Sequence, residues 1–211
     1  MAPQTASNIY SGRFGTYEIT EADRRGVLIY RLALLAVAVS FAAGGAVTLA
    51  GGSPWVVTAL FALLAAALGV ALATVHIYML ALHRALWLLW AVGVTASTVL
   101  TLNTGTPLAL IAYSEPVGLI ATGFVFAALT GICIKESFCF GWWETVLVVP
   151  ALPLLLLGHL GGILSPAVET GLFVVCAVSL LIFAIRKFSV PAPNDIGDKS
   201  VHAYVRGEIH G

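Results

Sequence analysis

Charge is what this sequence has least of. Only 9% of its 211 residues are Asp, Glu, Lys or Arg, against about 25% in an ordinary soluble domain. A chain of this size that is 60% hydrophobic has too little polar surface to shield its apolar surface from water, so lipid is the solvent for most of it. The ten basic and ten acidic residues cancel, and no basic stripe exists for a nucleic-acid partner. Cysteine is also scarce. Cys133, Cys139 and Cys176 have no metal-ligand spacing and none falls in an outer loop, so neither a zinc site nor a structural disulfide is expected. His-Glu-x-x-His, Gly-x-Ser-x-Gly, phosphate-loop and dinucleotide-glycine motifs are all missing, which leaves soluble-type enzyme chemistry without a foothold.

What the chain does have is long apolar runs. A hydrocarbon core about 30 Å thick needs roughly 20 residues of helix, and runs of that order occur near 27–50, 54–82, 85–102, 117–134, 145–164 and 167–185. The expected fold is all-α, a polytopic transmembrane bundle of six spans. A polar N-terminal segment, 1–25, precedes a transmembrane domain, 26–188, and a tail, 189–211, follows it. The first 25 residues are too polar for the apolar region of a cleaved signal peptide.

Thr20 and Asp23 read as a capping box. Gly51-Gly52-Ser53-Pro54, Asn103-Thr104-Gly105-Thr106-Pro107 and Ser165-Pro166 mark turns. No Gly or Pro lies between Met79 and Trp90, so charge alone places the turn between spans two and three at His83-Arg84. Residues 106–116 are too short to span and read as an interfacial helical turn, with a re-entrant hairpin as the alternative.

Orientation follows from the basic residues. Arg13, Arg24, Arg25, Arg31, Arg84, Lys135, Arg186, Lys187, Lys199 and Arg206 all fall on one side of a six-span threading, and the other side holds only Glu115 and Glu169. The positive-inside rule then puts both termini in the cytoplasm or an equivalent stromal compartment. Trp55 reads as an outer anchor, and Trp87, Trp90, Trp142 and Trp143 as inner ones.

Ionisable groups within or beside spans are the candidate functional residues, because lipid penalises them. His76 and His83, seven positions apart, would share a face of one helix about 10 Å apart. That is too far for one metal ion. His159 would lie about 21 Å along the fifth span, within the slab and beside Gly158, Gly161 and Gly162, which permit close approach of a helix or flat ligand. The inner loop concentrates Lys135, Glu136, Cys139 and Glu144, and either carboxylate can pair with Arg84 or Arg31. Arg31 is expected to snorkel to the surface. In the tail, Asp195, Asp198 and Lys199 are candidates for docking a partner. A three-plus-three inverted repeat, which would suit a transporter, is not visible.

Several stretches carry a resemblance: Gly15-Thr-Tyr-Glu-Ile-Thr with Asp23-Arg24, Gly26-Val-Leu-Ile-Tyr-Arg-Leu, Ala73-Thr-Val-His-Ile-Tyr, Leu129-Thr-Gly-Ile with Lys135-Glu136, Phe138-Cys-Phe, Leu157-Gly-His-Leu and Asp195-Ile-Gly-Asp-Lys-Ser. Over nearly its whole length the chain resembles an uncharacterised integral membrane family of cyanobacteria and plastids (DUF2301-like). The resemblance implies a location, a cyanobacterial thylakoid or plasma membrane, and supplies no catalytic residue. The leading expectation is an auxiliary or assembly factor working with photosynthetic membrane complexes, with chlorophyll or carotenoid as the candidate cofactor and His159, His76 and His83 as candidate pigment or metal ligands. The alternatives are a small-solute or ion transporter and, third, a membrane enzyme built on the inner-face cluster of Arg84, Lys135, Glu136, Glu144 and Cys139.

Overall fold

Thr20 starts the first long helix as its capping box prescribes. In the computed structural model, which describes residues 9–77 and 79–205, the Thr20 hydroxyl accepts from the Asp23 N–H at 3.2 Å, and the Asp23 carboxylate accepts from the Thr20 N–H at 2.7 Å. Two donors without a helical partner are satisfied reciprocally. Before this point an antiparallel hairpin pairs β1 (Ile9–Gly12) with β2 (Gly15–Glu18).

The helices are α1 (Glu21–Leu49), α2 (Pro54–Thr74), α3 (Leu80–Thr104), the short α4 (Leu108–Ser114), α5 (Pro116–Phe140), α6 (Trp143–Leu160) and α7 (Pro166–Lys187). Two short tail helices follow, α8 (Ala192–Ile196) and α9 (Lys199–Val205). All except α4, α8 and α9 are long and apolar enough to cross a membrane, so six candidate spans are present. Proline at the first turn opens α2, α5 and α7, where its missing N–H costs nothing. Left-handed glycines, Gly105 and Gly141, close α3 and α5.

Helix α1 packs on α2 and α7, α7 on α6, α6 on α5, and α5 on α3. Val37, Leu68, Leu72, Leu129, Val148 and Leu180 fill the centre. Lipid tails are as apolar as these side chains, so close backbone approach and hydrogen bonds decide how the helices meet. Gly93 illustrates this, since a Cβ there would stand 2.7 Å from the backbone nitrogen of Val125. Helix α3 is otherwise peripheral, with only Leu86, Gly93 and Ser97 buried.

The expected His83-Arg84 turn is wrong by several residues. The chain leaves helix at Val75, and both residues lie in the first turns of α3. His76 and His83 therefore do not share a helix face. The break carries no Gly or Pro; instead His83 sits against the end of α2, its Nε2 2.9 Å from the Leu72 carbonyl and 3.1 Å from Trp87 Nε1, at a carbonyl that has no acceptor role left within a helix that stops at Thr74. Residues 108–114 form α4, helical and not a hairpin. Trp90 also departs from simple anchoring: its Nε1–H donates to the Ala65 carbonyl at 2.7 Å, tying α3 to α2. Trp142 lies beneath the Arg186 guanidinium at 4.5 Å.

Both described ends of the chain lie at one end of the bundle, called proximal below. There the hairpin and the tail are joined: Asp198 accepts from the Arg13 N–H at 2.6 Å, Ser200 Oγ accepts from the Phe14 N–H at 3.0 Å, and the rings of Phe14 and Tyr204 stack at 4.1 Å. Ile19, Val27 and Ile196 form a small separate core beneath. Arg206 lies outside the described residues.

Candidate functional site

Two polar constellations occupy opposite ends of the bundle. The proximal one begins with Lys187, on the last turn of α7, whose side chain is 0% exposed. A bare buried ammonium is untenable. Its Nζ donates to Glu136 Oε2 at 2.9 Å and to Asp195 of α8, and it sits 4.2 Å from the Phe140 ring centroid. Glu136, equally buried, accepts from the Tyr30 hydroxyl at 2.7 Å and from Lys135 at 2.9 Å. Asp195 is gripped by Arg31, from Nε at 2.8 Å and from Nη2, while Nη2 also donates to the Val190 carbonyl at 2.8 Å. The result is an unbroken chain of partners linking α1, α5, α7 and α8. Beside it Arg186 holds the buried Glu144 at 3.1 and 3.3 Å.

This arrangement revises the pairing read from sequence. Arg31 is not a snorkelling residue: it turns inward, because Asp195 and a free carbonyl await it there. Glu136 pairs with Lys135 and Lys187, and Glu144 with Arg186, with neither meeting Arg84. Cys139 is an exposed free thiol, and Cys133 and Cys176 are buried and free. Of the tail residues, Asp195 is in the network, Lys199 donates to Asp23 at 2.8 Å and to the Glu18 carbonyl at 3.0 Å, and Asp198 holds the hairpin. All three already have partners within the chain. His76, in the break after α2, is held below the usual histidine range by burial, with Lys135 and Lys199 acting in the same direction against Asp23 and Asp195. No group of three or more His, Cys, Asp or Glu suited to a metal ion occurs among the described residues.

The distal constellation centres on His159, the penultimate residue of α6. Its Nε2 lies 3.0 Å from the Tyr113 carbonyl of α4, and its Nδ1 lies 2.6 Å from Glu169 Oε1 of α7. A carbonyl only accepts, so Nε2 carries hydrogen. One further proton then lies between Nδ1 and the Glu169 carboxyl. Whichever atom holds it, the pair is neutral as a unit, which suits the apolar surroundings. Both ring nitrogens are engaged, so axial ligation of a pigment by His159 requires one of these bonds to break.

Beneath this pair a cavity of about 480 Å³ opens between α1, α2, α4, α5, α6 and α7. Its walls include Phe41, Phe61, Phe126 and Phe173, and Ser40 and Leu64 lie at its floor. The volume falls in the range of ligand sites. Sequence reading found His159 but neither Glu169 as its partner nor the cavity. The available clue was that Glu169 is one of only two acidic residues expected on the distal side, which gave His159 few possible partners.

A family model described as an uncharacterized integral membrane protein (DUF2301) matches residues 70–204. No curated protein and no solved structure matches the chain. The matched stretch holds Glu136, His159, Glu169, Lys187 and Asp195, and it begins after Tyr30, Arg31 and Ser40.

Proposed function

Because the chain belongs to DUF2301, a family of uncharacterised integral membrane proteins, we propose that it is a binding protein of the lipid phase. It takes an apolar molecule into the distal cavity and has no catalytic role of its own. The observation that carries this reading is the cavity itself: about 480 Å³ of space between six helices, larger than the roughly 310 Å³ cleft between α3, α5 and α6, with a neutral His159–Glu169 pair and the α4 segment beside it. The space is open to the surroundings of the bundle, and its size and its lining of rings and methyls suit an apolar occupant.

The setting we propose is an oxygenic photosynthetic membrane, on the strength of the sequence resemblance, with an auxiliary or assembly role beside a photosystem-type complex. A carotenoid or other isoprenoid fits the cavity reading better than a chlorophyll ligated by His159, since the imidazole is already bonded on both sides. The transporter reading is supported less well. Glu136, its best proton carrier, is clasped by three partners in a closed network, and Val37, Leu68, Leu129 and Leu180 fill the core between that network and the cavity floor.

The test is purification in a mild detergent, solvent extraction, and mass spectrometry with absorption spectroscopy of the extract. We expect one apolar compound near equal stoichiometry, lost in Ala112→Phe, which fills the cavity wall. An extract that matches the bulk lipid in both proteins would overturn the proposal.

A further inference from the structure

Among the serine and threonine side chains lining the distal cavity, Ser40 stands apart. Thr48, Thr58, Thr122 and Thr170 each donate to the backbone carbonyl four residues earlier, at 2.9–3.1 Å, the usual way a hydroxyl satisfies itself within a helix. Ser40 is 3% exposed, lines the same cavity, and makes no hydrogen bond among the described residues. It lies nine positions before the end of α1, so about 13 Å below the distal end of that helix. Its hydroxyl does not turn back on the Ala36 carbonyl as the threonines do on theirs, which leaves a donor available to a molecule in the cavity.

The rings around it point to the partner's shape. Phe41, the next residue, stacks on Phe173 at 4.8 Å and 22°. Phe126 stands edge-on to Phe41 at 5.8 Å and 83°, and edge-on to Phe61 at 5.9 Å and 65°. This lower part of the cavity offers ring faces and edges, which favour another flat ring over a flexible chain. Nearer the distal end, Leu110, Leu155 and Leu156 add apolar surface to the wall.

We propose that the ligand is a flat, carbonyl-bearing ring with an apolar tail, a molecule of the quinone class, seated ring-down with Ser40 as the donor to one carbonyl. The tail then follows the apolar wall towards His159 and α4. A lipid acyl chain would leave Ser40 unpaired and gain nothing from the aromatic faces. This identification rests on the binding reading above and adds the ligand's chemistry to it.

The full chain in lipid nanodiscs would be titrated with two probes of matched tail, a decyl-substituted benzoquinone and n-decylbenzene, by equilibrium dialysis. The quinone is expected to bind about tenfold more tightly, the worth of one buried hydrogen bond. In Ser40→Ala that advantage disappears while n-decylbenzene binds as before, which also shows that the cavity is intact. Equal binding of the two probes, or unchanged quinone binding in Ser40→Ala, overturns the quinone assignment and leaves the cavity reading standing. If neither probe binds, both fall.

Discussion

Arg31 grips Asp195 through two guanidinium nitrogens across 164 positions of sequence, and in doing so fastens the tail after α7 to the third turn of α1. Asp195 in turn faces Lys187, so one carboxylate holds together three elements.

Removing that carboxylate leaves Arg31 without an acid and Lys187 with Glu136 alone. Asp195→Ala is expected to destabilise the protein by about 3–5 kcal/mol, the usual result of breaking a buried pair from one side. Thermal denaturation followed by size-exclusion chromatography in detergent would report it. Faster proteolysis between 188 and 200 would show the tail released first. A tail that stays protected and a midpoint that does not move would refute the clasp.

Lys187 and Glu136 form a buried pair, so their losses should not add. Lys187→Met leaves Glu136 with Lys135 and Asp195 with Arg31 as their remaining cations, and Glu136→Gln leaves Lys187 with Asp195 alone, whereas the double variant removes opposite charges together. The coupling energy in a double-mutant cycle should reach about 1–3 kcal/mol. A coupling near zero would mean that the two groups act independently.

Acid should loosen the junction of hairpin and tail. Burial pulls the Asp198 carboxyl upward, but hydrogen bonds from the Ser200 hydroxyl and from the backbone N–H groups of Arg13, Ser200 and Val201 outweigh it and hold the group below its usual value. A carboxyl depressed in the folded state stabilises that state when ionised. Its contribution is full above the unfolded-chain value of about 4 and is lost as pH falls through the lower folded value. Amide exchange at Arg13 and Phe14 should accelerate over that interval, and Asp198→Asn should be fast at every pH.

Two glycines test how α3 is held. Gly93→Leu places a side chain where Val125 backbone stands, so α3 must lift from α5 and folded yield should collapse. Gly123→Ala, which meets nothing within 4 Å, should leave the yield unchanged or raise stability, by up to about 1 kcal/mol from helix propensity. Similar yields from both would show that close approach is not what docks α3.

The His159–Glu169 pair fastens α4 over the cavity. In a Cys139→Ser background, Ala112→Cys should react with a maleimide several-fold faster once Glu169→Gln weakens the pair, because the Tyr113 carbonyl then loses a well-oriented donor. Identical labelling rates would show that α4 is held by its packing on Gly118 and α5 alone.

Composition and the spacing of apolar runs were enough to specify a membrane bundle of six candidate spans, because a helix must be about 20 apolar residues long to cross lipid whatever it packs against. Local chemistry was equally legible: Thr20 and Asp23 cap α1 between themselves, and Pro54, Pro116 and Pro166 start helices where they stand. The break after Thr74 was not legible, because it carries no Gly or Pro as a mark and His83 meets the Leu72 carbonyl from eleven residues away. Nor was the inward turn of Arg31. Its partners, Asp195 and the Val190 carbonyl, lie about 160 positions away, and nothing in a helical period says which distant acid will meet a given base. The crowding of Lys135, Glu136 and Glu144 showed that a proximal network exists, but which cation serves which carboxylate depended on how α1, α5, α7 and α8 converge. The distal cavity lay furthest from view. A cavity is the space that side chains on six helices fail to fill, and Ser40 and the phenylalanines around it come to line one space only when those helices are packed together.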